Sequence, residues 1–284
     1  MTSGWRPLAI VTGGGRGLGR LITLELATAG VDVVMVGRDG EMLRQTANEA
    51  LRHGSVRVHL CQCDIEAPTS VATILAAADE AGGADILINN AAIQGPIGPV
   101  WQVDEGEFAR TIHTDFLVPV ALTRAVLPGM LARRAGWVVN ISGGGATGPR
   151  PMFSAYGAAK TALVRFTETL AAEVSAEGVR VNSVAPGAFA SSMTRAILAS
   201  GDLAGERETD GAARLLANDD DTNAVRAAKL VAYLVAGAGR EITGKLISAV
   251  WDPWSELHSR SDELRDTDVY TLRRIVPGDR RLEW

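Results

Sequence analysis

The sequence predicts an α/β fold: a single domain on a doubly wound parallel sheet of about seven strands, with helices on both faces. Short β-branched runs alternate with Ala- and Leu-rich helical stretches, which is the pattern of βαβ units. The first of these runs opens through a glycine-rich loop directly into a helix. Across 284 residues no internal repeat, low-complexity segment or linker divides the chain.

Taken in order, residues 8–11 read as a strand, 18–29 as a helix, 31–36 as the second strand and 40–53 as a helix. Residues 56–61 read as the third strand, 68–81 as a helix and 86–89 as the fourth strand. A long helical region covers 105–133, and Pro119 should kink it, since proline lacks an N–H and its ring crowds the preceding turn. Residues 137–141 form the fifth strand, 154–177 a long helix, 179–185 the sixth strand, 223–235 a helix and 245–249 the last strand. Two regions break this rhythm. Residues 191–222 are polar and include an Asp219-Asp220-Asp221 run, and they read either as a mobile segment over a site or as a plain solvated loop. Residues 250–284 carry Trp251, Trp254, Tyr270 and Trp284, an aromatic density that suggests packing on the domain or on a neighbouring subunit. The expected division is a dinucleotide-binding and catalytic domain over 1–249 and an aromatic extension over 250–284.

Composition narrows the function. The hydrophobic share is 46% and the charged share 21%, ordinary values for a chain that buries a large core. Lys plus Arg total 28 against 33 Asp plus Glu, a formal net charge of −5. That leaves no basic surplus for a nucleic-acid backbone as the main partner. Cys61 and Cys63 form one C-x-C without a second pair, and His53 and His59 lack finger spacing. They read as two buried thiols at a strand end, and no metal is expected. Residues 1–10 do not read as a signal peptide, and no run approaches ~18 apolar residues. The expected location is cytoplasmic, away from membranes.

The loop Thr12-Gly13-Gly14-Gly15-Arg16-Gly17-Leu18-Gly19 follows the first strand. Glycines there permit a tight turn and close backbone approach to a pyrophosphate, while the helix N-terminus offers N–H donors. The second strand ends in Val36-Gly37-Arg38-Asp39. An acid at this tip would bind a ribose 2′-hydroxyl, whereas an Arg accommodates a 2′-phosphate. With Gly37 at the tip, Arg38 beside it and Arg16 in the glycine loop, NADP(H) is the expected cofactor. Asp39 reads as the N-cap of the next helix.

These residues, together with those that follow, resemble the short-chain dehydrogenase/reductase family over about residues 7 to 249. The matching pieces are Thr12-Gly13-x-x-x-Gly17-x-Gly19, Asp64 after the third strand, and Asn89-Asn90-Ala91-Ala92 after the fourth. Tyr156-x-x-x-Lys160 and Val181-Asn182-Ser183-Val184-Ala185-Pro186-Gly187 complete them. The resemblance implies a Rossmann-type fold in which Asp64 and Ile65 meet the adenine and Asn90 with Ala91 flanks a cofactor ribose. Pro186 to Ser191 would hold the nicotinamide carboxamide, with Phe189 and Ser191 as candidates. Asn89 and Asn90 have a second reading as hydrogen-bonding ties at the sheet end. A homo-oligomer, tetramer or dimer, is implied as well.

Tyr156 and Lys160 stand four apart on one helix and share a face. A phenol titrates near ~10, too high for a base at neutral pH, and a neighbouring ammonium lowers that value. In the resembling family this Tyr moves the proton while hydride passes to or from nicotinamide C4, and the Lys holds the nicotinamide ribose. Two positions depart from the family. The Ser that bonds the substrate oxygen, thirteen residues before the Tyr, is Gly143 here, and Ser142, one residue early, or a group on the substrate is expected to replace its hydroxyl. The Asn of the preceding long helix falls on Asp115, whose carboxylate is expected either to pair with Lys160 and weaken its effect on Tyr156 or to handle a proton or a substrate cation. Gly143→Ala should be tolerated if nothing there touches the reacting oxygen.

The expected activity is hydride transfer between NADP(H) and a carbonyl or alcohol of a small metabolite. Reduction of a C=N bond, a cofactor-assisted isomerisation, or a dinucleotide-binding protein with little catalysis are the alternatives.

Overall fold

In the computed structural model, which describes residues 6–282, seven strands form one parallel sheet. They are β1 (Leu8–Thr12), β2 (Asp32–Gly37), β3 (Val58–Gln62), β4 (Ile86–Asn89), β5 (Gly136–Ile141), β6 (Val179–Ala185) and β7 (Leu246–Ser248). Their order is β3-β2-β1-β4-β5-β6-β7. Successive strand residues feed opposite faces, so Ala9, Val11, Val33 and Met35 enter one core and Leu8, Ile10, Val34 and Val36 the other. That is why the strands read as unbroken apolar runs. Trp284 and the first five residues, on which part of the sequence reading rested, lie outside the described residues.

Helices α1 (Gly17–Thr28) and α9 (Thr222–Val235) cover the first face through Ile22, Leu26, Leu230 and Leu234. Helices α3 (Ser70–Glu80), α5 (Val118–Arg133) and α6 (Ser154–Val174) cover the second through Ile74, Leu122, Val126 and Leu170. Asp39 caps α2 (Gly40–His53), its carboxylate accepting from the N–H groups of Glu41 and Met42 at 3.0 and 3.1 Å. The sheet order reverses between β1 and β4, and a crevice opens there beyond the carboxyl ends of the strands.

The 105–133 region departs from the expected kinked helix. Helix α4 (Glu105–Ile112) runs into a π-helical turn, His113–Leu117, before α5 begins. Val118 donates its N–H to His113 O, five residues back. Pro119 is the physical reason: its ring crowds the carbonyl four residues earlier, that of Asp115, and the wider turn makes room. By length and composition alone this stretch is long and apolar enough to cross a bilayer; here Val118, Leu122, Val126 and Met130 pack in the core.

Residues 191–222 are not a loop. They form α7 (Ser192–Ala199) and α8 (Glu206–Ala217), joined through Gly201 and Gly205. Their apolar residues Ile197, Ala204 and Ala212 gather on Phe153 in a cluster separate from both main cores. The tail after β7 packs on its own subunit. Leu257 and Leu264 enter the first core, and Leu246 donates its N–H to Tyr270 O at 2.8 Å, covering the β7 edge. The two thiols sit at the end of β3, Cys61 buried and Cys63 half-buried, with their sulfurs 4.0 Å apart.

Candidate active site

The crevice is a cleft of ≈ 1770 Å³ whose walls carry residues from nearly every strand end. Its floor is the β1–α1 loop. Gly19 has no room for a side chain, since a Cβ would lie 2.0 Å from Gly13 O, and this lets α1 start hard against the strand. Arg16, extended at φ −156°, occupies the N-cap position with no side-chain cap on the first turn. The first-turn N–H groups of α1 are therefore free for an anion, and the positive end of the helix dipole stands behind them. Gly13, Gly15, Arg16, Gly17, Leu18 and Gly19 all line this end of the cleft, a fit for a pyrophosphate.

Gly37 and Arg38 line the neighbouring wall. Arg38 is mostly exposed and lies 3.8 Å from the Asp64 carboxylate, so the two flank one pocket with Ile65. On the opposite side of the glycine loop, Thr12 organises the β4 end. Its hydroxyl accepts from the N–H groups of Asn90 and Ala91 at 2.9 and 3.0 Å, and the Asn90 amide donates to Thr12 O at 2.8 Å. Asn90, Ala91 and Ala92 reach the cleft. Asn89 does not: it is 3% exposed and donates to Asn140 Oδ1 at 2.8 Å, the sheet-tie reading. Pro186, Gly187, Phe189 and Ser191 line the far wall, and the Ser191 hydroxyl is engaged in capping α7 by accepting from Thr194 N.

Tyr156 and Lys160 project from α6, one turn apart, into the same wall. Lys160 donates to Ile141 O at 3.2 Å, and its Nζ lies 3.4 Å from Asp115 Oδ2, both side chains almost wholly buried. Asp115 Oδ1 accepts from Ile93 N at 2.9 Å. The carboxylate does not reach the cleft; it acts on it through Lys160. Burial raises the Asp115 carboxyl above its usual range, with Lys160 opposing. For Lys160, burial lowers the ammonium but Asp115 and Tyr156 outweigh it, and the net direction is upward. For Tyr156, burial raises the phenol, Lys160 and Arg150 pull it down, and Asp115 pushes it up, with an upward net direction. The lowering expected from Lys160 alone is thus overcome by desolvation and by the carboxylate behind the ammonium.

Gly143 corrects a second expectation. A Cβ on it would lie 2.3 Å from Tyr156 Oη, so the phenol fills the space of the absent side chain and Gly143→Ala has no room. Ser142 also lines the cleft, beside Gly143. It is 2% exposed, its Oγ is buried, and among the described residues it has no hydrogen-bond partner.

Sequence reading missed part of the wall. Arg150, Met152 and Glu208 line it, as do Trp251, Asp252, Tyr270 and Thr271 from the tail. No spacing rule marks these residues in the sequence.

A family model described as short chain dehydrogenase matches residues 7–201. The chain belongs to the short-chain dehydrogenase/reductase family. It is 34% identical over 191 residues to the 3-oxoacyl-(acyl-carrier-protein) reductase of Vibrio cholerae, covering 67% of this chain and 76% of that one. It is 31% identical to a short chain dehydrogenase/reductase of Aspergillus oryzae, over 85% of this chain and 92% of the relative. A relative in Pseudocercospora fijiensis is 35% identical, and the match spans 60% of its length and 65% of this chain. Among solved structures, an actinorhodin polyketide ketoreductase with NADPH superposes at a TM-score of 0.76, with 26% identity over 87% of this chain and 97% of that one. This short-chain dehydrogenase/reductase is therefore an oxidoreductase by family, with the phosphate loop and the Tyr/Lys wall in one cleft.

Proposed function

We propose that this chain transfers a hydride between NADP(H) and the carbonyl or alcohol of a small metabolite, with Tyr156 as the proton-moving group. The observation that carries the reading is the pairing of Tyr156 with Lys160 on one cleft wall, the ammonium held in place by Ile141 O and Asp115.

In reduction, Tyr156 Oη gives its proton to the substrate oxygen, and in oxidation it takes that proton back. The buried ammonium of Lys160 favours the phenolate left behind. Nicotinamide, when bound, supplies or accepts the hydride. Arg16 and Arg38, with no acid at Gly37, favour a 2′-phosphate through charge-assisted contacts. A ketoreductase with NADPH and a metagenomic oxidoreductase with NADP among the structural relatives support that preference.

The test follows NADPH consumption across a panel of ketones, imines and sugars, with cofactor affinities from fluorescence titration. NADPH is expected to bind at least tenfold more tightly than NADH, a difference of only ~1.4 kcal/mol. Tyr156→Phe is expected to lose on the order of 10²-fold in turnover while retaining NADPH affinity. Turnover of that variant within a few-fold of the parent would remove Tyr156 from the chemistry.

A further inference from the structure

Three successive glycines, Gly143, Gly144 and Gly145, stand where the family places the hydroxyl that bonds the reacting oxygen, and two long side chains fill the room they leave. Tyr156 Oη lies against Gly143, and the Arg150 guanidinium against Gly144, with Nη1 3.5 Å from the position of a Cβ there. Arg150 sits on the cleft wall, its guanidinium carbon 5.9 Å from the Tyr156 ring.

The guanidinium is held on two sides. Its carbon lies 3.9 Å over the ring of Phe153, which is fully buried. Nε and Nη2 donate to Glu208 Oε1 and Oε2 at 3.1 and 2.7 Å, a two-pronged pair with α8. The Arg150 side chain is only 17% exposed. Among the described residues nothing accepts from Nη1. A planar cation fixed by a carboxylate on one edge and an aromatic face beneath thus keeps one pair of N–H donors unused, on the glycine side beside Tyr156.

Resting on the oxidoreductase reading, we infer that Arg150 is a catalytic residue: its Nη1 donates to the reacting oxygen in place of the missing Ser hydroxyl. Hydride adds to the carbonyl carbon, the C=O π pair moves onto oxygen, and Tyr156 Oη delivers its proton to that oxygen. Arg150 keeps all its protons and stabilises the negative charge as it develops, as a fixed donor does in an oxyanion hole. Glu208 balances its charge, so the site accepts an uncharged carbonyl without an unpaired cation facing it. A side chain at Gly143 would strike Tyr156, whereas Arg150 Nη1 already stands on the glycine side.

The experiment compares the parent, Arg150→Met, Arg150→Lys and Arg150→Ala, the last with and without millimolar guanidinium chloride. Turnover is read with NADPH and a carbonyl that the parent reduces, and NADPH affinity is titrated for each. Arg150→Met is expected to lose 10²–10³-fold in kcat, the scale of one lost oxyanion donor, with NADPH affinity within twofold. Lysine, or guanidinium added to Arg150→Ala, is expected to restore at least tenfold, which a packing role would not do. Turnover of Arg150→Met within threefold of the parent overturns the inference. So does a loss that neither lysine nor guanidinium restores, or one accompanied by lost NADPH affinity. A parent that consumes no NADPH with any carbonyl overturns the oxidoreductase reading itself, and the inference falls with it.

Discussion

Gly143 and Asp115 are the two residues read from the sequence as departures from the family's motif, and each bears on Tyr156 in the structure. A methyl group at Gly143 would lie 2.3 Å from Tyr156 Oη and 2.9 Å from two ring carbons. The phenol is mostly buried at the cleft wall, and overpacking of this kind costs about 1–3 kcal/mol. Gly143→Ala is therefore expected to lower kcat at least as strongly as it lowers the melting temperature, and unchanged turnover would show that the ring is not held there. Asp115 acts through charge: it raises both Tyr156 and Lys160. Alcohol oxidation needs the phenolate, so its rate should climb as pH rises through the Tyr156 value, while reduction, which needs the phenol, should fall. Asp115→Asn removes the charge, lowers the Tyr156 value and moves both limbs to lower pH. Coincident pH profiles for parent and variant would mean that another group titrates. The same substitution leaves Lys160 without its buried counter-charge, at a cost of about 3 kcal/mol read by melting.

At the scale of elements, the sheet differs from the α7–α8 segment that lines the cleft, here the lid, in how it is stabilised, and that difference decides what the sequence discloses. The inner strands bury apolar runs such as Ile86-Leu87-Ile88, so local composition reveals them. Helix α8 buries one residue, Ala212, and is tied to the domain by the Arg150–Glu208 pair. Residues 191–222 consequently read as a polar loop, because the contacts that order them lie 58 positions away in the chain. The Asp115–Lys160 pairing was legible from motif alignment, but the π-helical turn that carries Asp115 was not, since only Pro119 hints at it. The lid's small cluster with Phe153 yields a prediction. Ile197→Ala is expected to speed amide exchange across 192–217 and raise KM, with a smaller drop in melting temperature than Ile88→Ala, a core cavity costing about 2–5 kcal/mol. Equal drops from the two variants would place the lid in the same cooperative unit as the sheet.

For the whole molecule, the tail after β7 works inside its own subunit. Leu257 and Leu264 are 4% and 6% exposed within the core that holds α1 and α9. Buried Lys245 donates to Thr267 O and Val269 O at 2.8 and 3.0 Å, and Arg165 and Glu168 of α6 bond the backbone of Leu272. Tyr270 and Thr271 then reach the cleft wall. The aromatic tail thus packs on its own domain, where it closes the first core and forms part of the cleft wall. A chain ending at Ala249 would bare Leu230 and Leu234 and the β7 edge, an unpaired strand prone to pairing with other chains; it is expected to aggregate. Leu257→Ala separates the roles more cleanly. Losing that side chain costs about 3 kcal/mol, roughly 6–12 °C in melting temperature for a domain of this size, with the mass in solution unchanged because no subunit contact is touched. If light scattering instead shows Leu257→Ala dissociating with its melting temperature retained, the tail serves assembly. Closure of the first core would then have to come from α9 alone.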